Sequence, residues 1–137
     1  MTRHSTLRAA AVGGILLGSL TLAGCSGTGL LYGHWNWDDL EAAQESDEGF
    51  RIPQLVPDDA LDLRMVSAQR DYGLQLSFAS AEGITADYCE WAPIDVATEL
   101  PSDWWPESTP SEGLVCGWWE AFEQDGTYYA WDTREAE

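Results

Sequence analysis

Residues 115–132 read VCGWWEAFEQDGTYYAWD, six aromatic side chains in eighteen positions about an Asp125-Gly126 pair. Asp-Gly between two alternating apolar runs is a strong hairpin signal, because these two residues tolerate the positive φ that a tight two-residue turn demands. Such a turn sets Phe122 opposite Tyr129 and Glu120 opposite Trp131. One face of the ribbon then carries Cys116, Trp118, Glu120, Phe122, Tyr129 and Trp131. The other carries Val115, Trp119, Ala121, Glu123, Tyr128, Ala130 and Asp132. The stretch commits the chain to antiparallel sheet, and four inward rings burying about 150–250 Å² each would supply much of a small core. Glu120 is the misfit on that face, expected at an edge or beside an arginine.

Two further strands precede it. In LDLRMVSAQ, Leu61, Leu63 and Met65 alternate with Asp62 and Arg64; after the turn residues 70–73, LQLSF alternates again with Leu74, Leu76 and Phe78 inward. Period two flanked by turn residues predicts a paired strand on each side. Pro53 and Pro57 punctuate an extended approach, FRIPQLVPDD. Ser80 is placed to cap a short helix over 80–91, with Ala81, Ile84, Tyr88 and Trp91 on one stripe. Gly83 would cost that helix about 1 kcal/mol relative to alanine, and Pro93 ends it. A short extended piece, IDVAT, follows. Residues 98–113, TELPSDWWPESTPSEG, hold three of the six prolines and read as a long loop. Loops of that length are usually functional or disordered.

The N-terminus carries an address. Arg3 and Arg8 stand in a head without acids, and 9–22 is an apolar or small run of fourteen residues, too short to span a bilayer as a permanent helix. Leu22-Ala23-Gly24-Cys25 follows directly and resembles the lipobox of bacterial lipoproteins. The resemblance covers about the first fifth of the chain. It implies that the Cys25 thiol takes a diacylglyceryl group, that 1–24 is removed as a signal peptide, and that the protein is lipid-anchored on the extracytoplasmic side of the cell membrane. The competing readings are a soluble secreted chain with an incidental Cys25, or an uncleaved apolar anchor. Two acyl chains, burying CH2 groups worth ~0.8 kcal/mol each, hold a protein to a bilayer essentially permanently, so the aromatics are not needed as a membrane foot. The segments RIPQLVPDDALDL and LQLSFAS are similar to small lipoproteins of high-GC bacteria, a group that supplies no activity to carry over. The absence of lysine and the single Asn36 agree with a GC-rich genome.

All twenty-four acidic residues lie beyond Cys25, against Arg51, Arg64, Arg70 and Arg134. That field repels nucleic acid, which is excluded as a partner, and anionic headgroups. Setting Cys25 apart leaves Cys89 and Cys116, an even pair that reads as a disulfide in an exported protein. Two metal-binding thiolates are the alternative, without the close spacing zinc sites usually show. A bond to a helix at 80–91 would turn the Cys116 face of the hairpin inward, with Trp91 and Trp118 beside the sulfurs.

Beyond the N-terminal head, His34 is the single imidazole, and it lies in a segment expected to be a tether, which argues against Ser-His-Asp or Cys-His chemistry. Lysine-dependent Schiff-base and phosphate-loop chemistry is excluded outright. The acidic windows lack the alternating ligands of a calcium loop. Paired carboxylates for glycan hydrolysis have no locating signal. What remains is Trp104-Trp105-Pro106: adjacent side chains diverge, so one indole is a candidate contact for a protein or a sugar face. Both folding back as a lid is the competing reading. Trp119 and Tyr128, neighbours on the outer hairpin face, form a second candidate patch.

The expected molecule is a small α+β domain over 50–137, an antiparallel sheet of four or five strands with one short packed helix and one disulfide. It follows a lipidated Cys25 and an acidic flexible tether over 25–49, in which Leu40 to Gln44 could form a helical turn and Trp35 and Trp37 could dock. No metal or other cofactor is implied. The expected role is a non-catalytic binding module at the cell envelope with a protein or glycan partner. An envelope glycan hydrolase and a passive acidic surface protein are the alternatives.

Overall fold

The computed structural model describes residues 32–68, 73–97 and 100–134. The segment 1–24 expected to be a signal peptide, Cys25 and the expected turn residues 70–72 lie outside that set. In chain order the elements are β1 (Tyr32–Asp39), α1 (Leu40–Glu45), a 3-10 turn (Gly49–Arg51), β2 (Leu61–Ala68), β3 (Leu74–Ala79), β4 (Glu90–Pro93), β5 (Glu112–Cys116), β6 (Trp119–Gln124) and β7 (Thr127–Asp132). All seven strands join one antiparallel sheet in the order β1-β2-β3-β7-β6-β5-β4. Two three-strand meanders, β1–β3 and β5–β7, thus meet at the β3–β7 seam, with β4 added at the far edge.

The antiparallel sheet, single helix and Cys89–Cys116 disulfide agree with expectation; the strand count and the position of the helix do not. Seven strands replace four or five because the segment expected to be a tether supplies β1 and because Gly117 divides the hairpin ribbon. Residues 32–39, expected in a tether ahead of residue 50, are therefore part of the sheet. Residue pairs Trp35–Met65 and Trp37–Leu63 place both tryptophans of β1 on the core side. The helix forms in that same N-terminal segment: the Asp39 carboxylate accepts from the Ala42 N–H at 2.8 Å, capping α1, and Leu40 and Ala43 are buried against the sheet.

Over 80–91, where helix was expected, the chain crosses the sheet without forming one until β4 begins at Glu90. Gly83 adopts φ +73°, outside any right-handed helix, and a Cβ there would stand 2.5 Å from the Tyr128 hydroxyl. Its anchor is Asp59, whose carboxylate accepts from the Ser80 hydroxyl and from the Ala81 and Glu82 N–H groups, while Ser80 Oγ accepts from Gly83 N–H at 2.8 Å. The Ser80 bond first, then the backbone bonds, hold the Asp59 carboxyl below its ordinary value. A carboxylate depressed in the folded state contributes stability that is complete above its unfolded value near 3.9 and is lost as pH falls through the folded value. Asp59→Asn is therefore expected to destabilise the protein at pH 6 and to converge with wild type toward pH 2.5. Urea midpoints across that range check it; a gap that does not narrow below pH 4 contradicts it.

The main core lies on one face of the sheet. It joins Leu63, Met65, Leu76, Phe78, Cys116, Ala121 and Ala130 to Leu40, Ala43, Leu55, Val56 and Ala60 from the covering segments. On the opposite face Phe122 and Trp131 pack with Ile94, Trp105, Val115 and Tyr129 from the sheet and the loop that follows β4. Both faces are covered, so β3 is buried along five of its six residues, Gln75 and Ser77 included.

Candidate functional site

The hairpin register matches the expectation from Asp125-Gly126: Phe122 pairs with Tyr129 and Glu120 with Trp131. Its faces do not. Gly117, at φ +65°, and Trp118 form a turn between β5 and β6, so Cys116 pairs with Trp119 instead of lying in one strand with Trp118. That turn resets the alternation. Cys116 shares the main-core face with Trp119, Ala121, Tyr128 and Ala130, whereas Phe122, Tyr129 and Trp131 occupy the opposite one. Glu120 is partnered by backbone and not by arginine: its Oε2 accepts from the Asp95 N–H at 2.9 Å.

The four tryptophans and tyrosines singled out from sequence take different positions. Trp119 and Tyr128 are half-buried against the main core, and Tyr128 stacks on Phe78 at 5.4 Å between centroids; they do not form an outer patch. Trp105 is the hub of the second cluster, edge-on to Phe122 at 6.2 Å, Tyr129 at 5.5 Å and Trp131 at 5.9 Å. Trp104, half-buried, touches this group through Trp105 at 5.9 Å and turns toward the sheet surface. The two adjacent indoles thus stay in edge-to-face contact, and both are half-buried. Trp91 and Trp118, expected beside the disulfide, are instead 69% and 67% exposed.

Trp104 walls two grooves on the face of β1, β2, β3 and β7. One, of about 340 Å³, is lined by His34, Trp35, Asn36, Arg64, Met65, Asp103 and Trp104. The other, of about 150 Å³, is lined by Asp62, Arg64, Ser77, Phe78, Ala79, Trp104, Thr127 and Tyr129. Arg64 and Trp104 are common to both. A register shift between Leu61 and Arg64, with Asp62 at φ +52°, inserts one extra residue into β2 where these grooves meet. Bulges of this kind re-aim side chains and gather next to binding sites. The same irregularity leaves Leu61 54% exposed, although the alternation had placed it inward with Leu63 and Met65.

Arg64 is exposed and makes no ion pair among the described residues, whereas Arg51 is paired with Glu48 and Arg134 with Asp132. In a chain with this excess of carboxylates an uncommitted guanidinium stands out. It is the site residue that sequence reasoning missed, since nothing local distinguishes it from the other arginines. Asp62 and Asp103 are exposed at the groove margins. Among the described residues, no group of three or more His, Cys, Asp or Glu side chains is placed to hold a metal ion, and no helix is long and apolar enough to cross a membrane. Comparison with protein-family models, curated proteins and solved structures gives no match.

Proposed function

We propose that the protein is a lipid-anchored, extracytoplasmic binding module, held to the membrane through Cys25, whose contact surface is the groove between Trp104 and Arg64. The observation that carries this reading is the pairing of an aromatic wall with a guanidinium that makes no ion pair among the described residues, over a polar floor of Asn36, His34 and Ser77. An indole face offers a flat apolar platform for a sugar ring, and a guanidinium donates hydrogen bonds to sugar oxygens. The favoured partner is therefore an uncharged envelope glycan, because a carboxylate-bearing one would meet the same acidic field that repels nucleic acid. A hydrolase would need a desolvated carboxyl as general acid opposite a second carboxylate; Asp62 and Asp103, both solvent-exposed, favour binding instead.

Trp104→Ala and Arg64→Gln, made singly, test this against an uncharged cell-wall glycan fraction by titration calorimetry. Each is expected to weaken binding by about 2 kcal/mol, roughly thirty-fold in Kd, as is typical when an aromatic or arginine anchor is truncated. Folding should be little affected, since Arg64 is exposed and Trp104 lies at the margin of its cluster. Unchanged Kd values in both variants would remove the groove from consideration.

A further inference from the structure

We propose that one end of the sheet is the surface the domain sets against the headgroup layer of its own bilayer, with Trp118 and Phe50 as the contacting side chains. The inference rests on the Cys25 anchor and adds an orientation to it. The pairings Tyr32–Ala68, Ser67–Leu74, Trp119–Asp132 and Cys116–Trp119 align the start of β1, the end of β2, the start of β3 and the β5–β6 turn along a single edge of the molecule. Tyr32 is thus at this end, and only six residues, 26–31, separate it from Cys25, where the lipid would be attached. The seven residue steps from Cys25 to Tyr32 span at most about 25 Å when fully extended. That link keeps this end within about 25 Å of the bilayer.

The side chains there differ from those of the rest of the surface. Phe50 is 83% exposed, and Trp118 and Tyr32 are exposed at the same end of the strands. A groove of about 320 Å³ joins Phe50, Ile52, Leu74 and Trp119 to Arg51, Asp132 and Arg134. Two of the three described arginines are therefore here, each matched with a carboxylate. The opposite end of the strands carries Asp38, Asp62, Glu112, Glu123 and Asp125, all exposed and none in an ion pair among the described residues. Charge repulsion turns that acidic end away from headgroups more strongly than the aromatic end. At the aromatic end Glu90, at the start of β4, is exposed, but Glu48 and Asp132 are matched by Arg51 and Arg134. Tryptophan and tyrosine favour this interfacial layer, where the ring is in a partly apolar medium and its polar edge stays wet. The acyl chains supply the affinity. A tether this short raises the effective concentration to about the millimolar range, so a weak protein–lipid contact suffices to fix orientation.

The test uses the full lipidated protein in phosphatidylcholine–phosphatidylglycerol vesicles whose acyl chains are brominated near the glycerol. Flotation reports the anchor, and quenching of tryptophan fluorescence reports the contact. Wild type is expected to float and to be quenched. Trp118→Phe should float but lose most of the quenching, Trp104→Phe should keep it, and Phe50→Trp added to Trp118→Phe should restore it. A protein that floats unquenched, or whose quenching survives Trp118→Phe, overturns the proposed orientation while leaving the anchor standing. A protein that does not float overturns the anchor and the orientation with it.

Discussion

Replacing Cys89 and Cys116 together by serine is expected to lower the unfolding free energy by about 3.5 kcal/mol, the chain-entropy value for closing a loop of this length. The bond joins residues 27 apart in sequence and ties the start of β4 to the end of β5. β4 is a four-residue edge strand with no neighbour except β5, and Pro93 at its end has no N–H to donate. The sulfur link is thus its principal hold on the sheet. For a domain of this size the melting temperature should fall by about 15–25 °C. The same loss should follow reduction of the wild-type protein and be absent when the serine variant is treated with reductant. Thermal melts of the four samples check this. Equal melting temperatures for oxidised wild type and the double serine variant would mean that β4 docks without its covalent link.

Trp105→Ala is expected to destabilise the protein by about 3 kcal/mol, near the lower end for truncating a packed aromatic ring because the indole is only half-buried. Its ring contacts Trp104, Phe122, Tyr129 and Trp131, so its removal opens a void under the loop and lets water onto three neighbouring rings. Trp104→Ala, which takes away one edge contact, should cost about 1 kcal/mol or less. Denaturant midpoints of the two single variants decide the matter. The adjacent tryptophans would lose their division into a packed and a surface residue if both truncations cost the same. A practical consequence follows for binding experiments: only Trp104 can be altered without disturbing the sheet beneath.

Much of the architecture could be read from local signals. Asp125-Gly126 fixed the β6–β7 register because the turn's φ requirement leaves few residue choices, and the alternation of Leu63, Met65, Leu74, Leu76 and Phe78 revealed two central strands. Cys89 and Cys116 pair as their number suggested. The errors arose where a long-range effect overrides a local pattern. Reading 115–123 as one strand carried the alternation across Gly117, and the turn there exchanged the two faces, exposing Trp118 and tucking Trp119 inward. The helical spacing over 80–91 was outweighed by Asp59, distant in sequence, which holds Ser80, Ala81 and Glu82 in a turn. The acidic N-terminal segment lacks the composition of a core strand, yet β1 has a ready partner in β2 and needs only Trp35 and Trp37 to face inward. Of the candidate site, adjacency did not show that Trp104 and Trp105 would stay in edge-to-face contact. Arg64 was not legible either, because its lack of an acidic partner among the described residues is a property of the assembled fold.

The seam between β3 and β7 has a consequence for the order of events during synthesis. β7 is the last strand made, yet it fills the centre of the sheet, where it pairs with β3 from Gln75 to Ala79. A ribosome delivers β1, β2 and β3 well before that partner exists, leaving a strand of Leu, Gln, Leu, Ser and Phe with one side unoccupied. Such an open edge invites pairing with other chains. High contact order at the seam slows its closure, so a stop codon ahead of Thr127 would leave both halves without their common border.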